Sequence, residues 1–493
     1  MNIGYGFSAM DGNKLYRKTG KVRRTNMGNR NKAQIRYQIL FEGELQLDSP
    51  LLIGSGQDKN EPESDIHVLK DQNNNPFIPG TSITGVLRHM LHGENPEAAK
   101  ILFGYIGQTG NEAGLQSSII ISDVLLEDTT IVVRDGVCID PDTGTAKKGQ
   151  KYNYEAIERS TKNHKATGKI NMMVTLRDYQ VEVLPNWKAV VQSLANQLAF
   201  GIRLGALTAK GFGRVSVPDI QVGVYDMTQF SDVKKWLLRQ PSAQILKVEK
   251  KNTQPKGTFI VTGQFALKSS LLVRNKEVAN EDTDGSNDKE KKSKIHAIPM
   301  KSDEDYLIPG TSVKGVLRHQ AMYILRTMGK TQLLNQKFDK LMGCSTEDNK
   351  QKSRFMTDEV YIHPKDVTSQ KQTRNAIDRF TGSTMDSKLF AEQALWQKDK
   401  KIPTVTLRYT IDDSQDWERG MALFLLKDLW TGNVALGGDK SIGRGYLQGL
   451  TATIQYYQDE NILKEWIITD NGKVVQGDPV ELEAFASALV QYQ

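Results

Sequence analysis

The loop "GSGQDKNEPESDIHVLKD", residues 54–71, carries five carboxylates: Asp58, Glu61, Glu63, Asp65 and Asp71. A carboxylate can bind a divalent cation or take a proton. It can equally keep a surface loop soluble, the usual fate of such acids. His67 follows, and a second Ile-His pair, Ile295-His296, lies in the other half of the chain. Either histidine could assist an acid or serve as a structural residue.

A second kind of chemistry appears twice. Residues 78–89 read "IPGTSITGVLRH" and residues 308–319 read "IPGTSVKGVLRH". Thr81 or Ser82 suits the cap of a helix that buries Ile83, Val86 and Leu87. The first N–H groups of a helix have no intrahelical partner and carry partial positive charge, which makes a phosphate site. Gly80 and Gly310 would admit an anion close to the backbone. Thr81, Ser82, Thr311 and Ser312 would add hydroxyl donors, and Arg88 and Arg318 lie about two turns further in. A plain capping turn before a core helix is the alternative.

Two Gly-rich turns, "LTAKGFGR" and "DKSIGR", offer Lys210 and Arg214, then Lys440 and Arg444. Glycine allows a close backbone approach; a β-turn is the bland reading. A polar excursion at about 130–172 interleaves Arg134, Lys147, Lys148 and Lys151 with Tyr152 and Tyr154, as phosphate contacts and base stacking require. A solvated hairpin has the same composition.

The elements that must hold these groups come in two sets. "KGFGR" is matched by "KSIGR", "VTLR" at Val174–Arg177 by Val405–Arg408, "IDPDTG" by "IDRFTG", and "FEGELQLDSPLL" by "VTGQFALKSSLL". Matches in one order at nearly one spacing indicate a tandem duplication of a unit of roughly 230 residues. The second copy has about ten extra residues before its helix. Each unit reads as strand, loop, helix, strand, polar excursion, strand ("MVTLRDYQVEVL"), helix ("WKAVVQSLANQLAF"), Gly-rich turn and final strand. That order suits an α+β, ferredoxin-like fold with an inserted flap.

The chain has 493 residues, a net charge of +7 and two distant cysteines, Cys138 and Cys344. The cysteines argue against a disulfide framework or zinc site and fit a reducing cytoplasm. No apolar run suits a membrane span, and the first residues lack the apolar core of a secretory signal. Basic residues from Arg17 to Lys32 read as a flexible arm for nucleic acid or a partner subunit. The expected divisions are a basic arm at 1–34, a first domain at 35–247 and a linker at 248–256. A second domain follows at 257–493, with an insert at about 276–294 and a hairpin at about 365–403.

The Gly-x-Gly strand end, the "PGTSxxGVLR" helix start, "LFG", the "IDxxTG" flap and the Gly-rich turn together resemble the RAMP superfamily of CRISPR-associated proteins. More narrowly they look like the RNA-binding backbone subunits of type III effector complexes, in particular the double-backbone subunit of type III-D variants. The resemblance implies two tandem ferredoxin-like (RRM-like) domains, each with an inserted thumb hairpin. It implies that the helix starts, the Gly-rich turns and Arg134 contact guide crRNA, and that target single-stranded RNA and other effector subunits are partners. It also implies an acid, shortly before "IHVL", that cleaves target RNA. That picks Asp65, as a proton acceptor or as the ligand of a divalent metal, magnesium.

Two other readings stay open. One is a non-catalytic guide-RNA scaffold. The other is an endoribonuclease that processes the guide precursor, for which His89 and His319 in the repeated helix are candidates. Aligned on the Ile-His pairs, the position of Asp65 becomes Lys294, so the second copy is expected to bind without cutting. Asp282, Asp284 and Asp288 in the insert are the possible substitutes.

Overall fold

The computed structural model describes residues 33–56, 65–107, 114–249, 254–275, 295, 297–345, 350–458, 463–469 and 471–492. The basic arm up to residue 32, Asp58, Glu61, Glu63, the insert at 276–294 and His296 lie outside the described residues.

Strand β1 (Ile35–Leu47) forms the centre of the first sheet because its apolar side chains Ile39, Phe41, Leu45 and Leu47 alternate onto the core face. Helix α1 (Gly80–Glu94) buries Ile83, Leu87 and Leu91 at helical spacing. Helix α2 (Pro96–Phe103) follows, capped by Asn95, whose carboxamide oxygen accepts the Ala98 N–H at 3.0 Å. Next come β2 (Ile119–Ile121), the hairpin β3 (Ile131–Ile139) and β4 (Ala146–Ile157), then β5 (Thr167–Arg177). Helix α3 (Trp187–Phe200), β6 (Arg214–Ser216) and β7 (Gln221–Asp226) complete the unit.

In the sheet β1 lies between β5 and β7, and β2 is the outer neighbour of β5. Numbered by their place in a β–α–β–β–α–β unit, the strands run 4-1-3-2, the ferredoxin-like order.

The second unit repeats the plan. It holds β8 (Phe259–Leu267), α4 (Gly310–Thr327), β9 (Phe355–Thr357), the hairpin β10 (Val367–Ile377) and β11 (Thr384–Gln397), β12 (Val405–Ile411), α5 (Asp416–Thr431) and β13 (Leu447–Tyr457). Its sheet again places the first strand between the third and fourth, in the order β9-β12-β8-β13. Each unit has its own hydrophobic core.

The hairpins are the thumbs. The first occupies 131–157. Residues 167–172, expected within that excursion, belong instead to β5 and pair with β1. The two tips match atom for atom. Asp140 Oδ1 accepts the N–H groups of Asp142 and Thr143, Asp378 Oδ1 those of Phe380 and Thr381, and both Gly144 and Gly382 have φ 69°.

Two further expectations fail. Asp178–Val183 is a helical turn, not the end of a strand. Gln180 Oε1 accepts the Arg177 N–H at 3.0 Å, and its amide donates to Ser118 Oγ at 2.6 Å. The second "VTLR" also does not coincide with the first. Val405 stands opposite Phe265, where the equivalent Leu45 of β1 faces Gly168. The likeness of the two tetrapeptides reflects strand composition rather than position.

Candidate nucleic-acid interface

Asp65 is exposed at the base of the first thumb. Its Oδ2 accepts the Asn153 N–H at 2.8 Å, and its own N–H donates to the Asn153 carbonyl at 3.2 Å. Ile66 continues the contact as a parallel bridge to Tyr154. The carboxylate is thus tied by its backbone to the stiff part of the hairpin while Oδ1 has no hydrogen bond among the described residues. His67 is buried, with Nδ1 3.4 Å from Glu155 Oε1.

No cluster of three or more potential metal ligands occurs among the described residues. A lone exposed carboxylate does not make a protein cage. It fits magnesium, which is commonly held by one or two carboxylates together with substrate phosphates.

The two helix starts have different surroundings. At Gly80 a Cβ would overlap the Ile121 carbonyl, so glycine is required by packing against β2 rather than by an approaching anion. The Gly80 N–H donates to Asp123 Oδ1 at 2.8 Å, which already places an anion at the start of α1. Thr81 and Arg88 are exposed, and Ser82 is half-buried. At Gly310 a Cβ would overlap the carbonyl of Lys210 in the first domain. The start of α4 is therefore covered by the first domain's Gly-rich turn. Thr357 Oγ1 donates to the Gly310 carbonyl at 3.1 Å, the Thr357 N–H to the Ala209 carbonyl at 3.2 Å, and Thr311 meets the Tyr154 hydroxyl. Gly310 is a junction residue, not an open anion site. Ser312 and Arg318 are half-buried, and Arg318 donates to the Gly343 carbonyl at 2.8 Å and to Asp339 at 3.1 Å while covering the Phe338 ring.

Arg134 is a correction. Its side chain is 2 % exposed, with Nη1 2.6 Å from Glu359 and Nη2 2.8 Å from Glu158. It also lies over the Phe212 ring. Burial opposes its charge, but the Glu359 and Glu158 carboxylates outweigh that and raise its pKa. It is a pin between the domains, not an RNA contact.

The Gly-rich turns need a new register. Gly213 and Gly445 share φ of 81° and 80°, and their carbonyls accept from Leu204 and Leu436 at 2.8 and 2.9 Å. Gly211 and Gly443 match at 91° and 88°. Counting from these pairs, Lys210 corresponds to Ile442, Phe212 to Arg444, Arg214 to Tyr446 and Thr208 to Lys440. The similarity of "KGFGR" and "KSIGR" is two residues out of structural register. Lys210 is partly buried, and burial and the Arg318 charge lower its pKa. Arg214 is half-buried beside Asp48 at 3.7 Å. Lys440 is exposed. Arg444 is buried and donates to Glu392, Asp439 and Gln372, at 3.0, 3.0 and 2.8 Å, so it too is withdrawn from the surface.

With the fold and these groups in place, family comparison is decisive. The RAMP superfamily model matches residues 44–216 and again residues 267–448. The chain is a member of the RAMP superfamily, in two tandem copies. A search of curated proteins finds no match. RAMP membership implies a CRISPR-associated, RNA-binding function. No described helix is long and apolar enough to cross a membrane.

Several residues of this RAMP pair carried no signal in the sequence. Asp358 joins Arg203 at 2.7 Å and Arg408 at 3.0 Å. Arg159 joins Asp305 at 2.8 Å and lies over Tyr361, and Arg326 reaches the first thumb tip at Asp142, 2.6 Å away. The pairs Arg203–Asp358, Arg159–Asp305 and Arg326–Asp142 stitch one domain to the other across long sequence separations, and no local pattern announces them. Lys314 is the other omission. It is buried, with Nζ donating to the Phe355 carbonyl at 2.9 Å. Burial, Lys210 and Arg318 lower its pKa to about 7. His319, on the same helix, is also lowered, by burial, Lys440 and Arg318. Cations crowd beneath the first thumb at the junction.

Proposed function

We propose that the chain is a double-backbone subunit of a type III CRISPR effector. It binds guide RNA along both domains and cuts a complementary target RNA once, at Asp65. The observation that carries this is the exposed Asp65 carboxylate, fastened by a pair of hydrogen bonds to Asn153 at the base of a thumb. Preorganisation of that kind is what a catalytic group needs.

The chemistry asks little of the protein. The target's own 2′-hydroxyl attacks the adjacent phosphorus. Its proton leaves to a base, the 5′ oxygen departs and takes up a proton, and a cyclic phosphate remains. Asp65 holds the proton or holds a magnesium ion, and a bound ion would neutralise charge on the phosphoryl oxygens.

The second domain lacks this group. Glu155 N–H donates to Ile66 O, and Gln393 N–H donates to Ala297 O. The position equivalent to Asp65 is therefore residue 296, two further than Ile-His alignment with Lys294 would have it. Residue 296 is a histidine and lies outside the described residues. Neither alignment supplies a carboxylate.

The test uses the assembled guide complex with a labelled complementary target. Asp65→Asn should remove one cut, with target binding retained. Unchanged cleavage at every position would refute the assignment. Cleavage of guide precursor by the wild-type protein, with no target cleavage, would favour the processing enzyme instead.

A further inference from the structure

The second domain has a charged cavity at the base of its thumb. It measures about 530 Å³ and is lined by Arg274, Arg374, Asn375, Phe390, Glu392 and two alanines. Arg274 Nη2 lies 3.0 Å from Glu392 and 2.7 Å from Asp439. Arg374 pairs with the same two acids, as does the buried Arg444 behind them. Three guanidinium groups thus face two carboxylates. Arg374 Nε is buried without a hydrogen-bond partner, and Arg274 is half exposed.

The first domain shows what this replaces. The bridges Gly54↔Val68 and Arg274↔Pro299 put Arg274 at the place of Gly54. The thumb registers put Arg374 at Gly136, Phe390 at Tyr152 and Glu392 at Tyr154. The turn register puts Arg444 at Phe212 and Asp439 at Leu207. Apart from the exchange of one aromatic for another, each place is uncharged in the first copy. Among the described residues three guanidinium groups share two carboxylates, and two of the three, Arg274 and Arg374, are partly exposed. The half-exposed Arg274 guanidinium lines this half-open cavity and can donate to an anion there.

We propose that this cavity binds one nucleotide unit of single-stranded RNA, its phosphate on Arg274 and Arg374 and its base against Phe390, without cutting it. The proposal rests on the RNA-binding reading of the chain and adds a site to it. A volume in the usual range of small-molecule pockets, about 300–1,000 Å³, accommodates a nucleotide. Phe390 is 44 % exposed and offers a sequence-tolerant stacking surface. Glu392 and Asp439 are both engaged by guanidinium groups, which hold the arginines in place around the cavity.

The experiment is photo-cross-linking of the full chain to RNA carrying 4-thiouridine at successive positions. One arm uses guide RNA alone and the other adds a complementary target, which distinguishes the two strands as the source. The expected result is a cross-link to the peptide containing Phe390. It should be lost in Arg274→Gln/Arg374→Gln, with RNA affinity at fixed salt falling about tenfold. Phe390→Ala leaves the ion network intact. It should remove the cross-link with an unchanged melting temperature, which covers the case in which the arginine variant misfolds. Wild-type RNA binding with no cross-link at this peptide, or a cross-link that survives both variants, would overturn the cavity site alone. No RNA binding by the wild-type protein would instead bring down the underlying reading.

Discussion

Leu207 and Asp439 occupy the same left-handed backbone position, φ 56° and 57°, in the Gly-rich turns of the two domains. Lys210 N–H donates to the Leu207 carbonyl at 2.7 Å, and Ile442 N–H to that of Asp439 at 3.1 Å. Lys210 and Lys440 are therefore not counterparts. Lys440 is exposed, and Lys440→Ala should reduce the slope of log affinity for RNA against log salt by about one. Ile442→Ala should leave it unchanged. Equal slopes for Lys440→Ala and wild type would show that this turn does not meet phosphate.

Arg134→Met should destabilise the protein by about 3–5 kcal/mol, because it strands the buried carboxylates of Glu158 and Glu359. Adding Glu158→Gln and Glu359→Gln should recover part of the loss. Thermal unfolding reads both. A variant with wild-type stability but weakened RNA binding would restore Arg134 to the RNA surface.

Gly310→Ala should loosen the junction and lower stability by about 1–3 kcal/mol, since its Cβ would overlap the Lys210 carbonyl. Gly315→Ala, one turn along with open space around it, should stabilise α4 by about 0.5–1 kcal/mol. If the two variants melt alike, the covered helix start is not a tight contact.

Asp65→Asn keeps the oxygen that accepts the Asn153 N–H, so the loop should stay in place. The target cut should slow by about a hundredfold or more. Excess chelator should slow the wild-type cut as well. A chelator-resistant cut would remove magnesium from the mechanism.

Lys314 makes stability depend on pH. Its folded pKa of about 7 lies below the ordinary 10.5, so the unfolded chain binds more protons between those values. Stability then rises with pH across that window, and the burial penalty is fully present below pH 7. From pH 7 to pH 9 the gain should be about 2 kcal/mol. Lys314→Met should abolish this gain while raising stability at pH 6. A wild-type pH profile retained in the variant would assign the effect elsewhere.

The order of elements was legible because strands and helices announce themselves locally. The alternation in "FEGELQL" and the Ile83, Val86, Leu87 spacing were enough for the ferredoxin-like units. The duplicated thumb tips were legible for the same reason: "IDxxTG" is a self-contained turn, closed by Asp140 or Asp378. Equivalence inside the duplication was less so. "VTLR" and "KSIGR" share letters with their apparent partners, yet strand pairing and backbone dihedrals decide position, and neither is written in a short string. The site residues divide along that line. Nothing near Arg134 in sequence reveals Glu359, and a surface arginine has the same one-letter code as a buried pin.

The junction joins unlike faces: the Gly-rich turn of the first domain meets the helix start of the second, while the first domain's own helix start packs on Ile121 and Asp123. A contact of that kind has a direction, unlike one made by two copies of the same patch. The protein thus possesses polarity along its length, as a ribonucleotide strand does between its 5′ and 3′ ends. A strand laid across both domains would encounter comparable groups in one order only, so reversing the strand is not an equivalent way to bind.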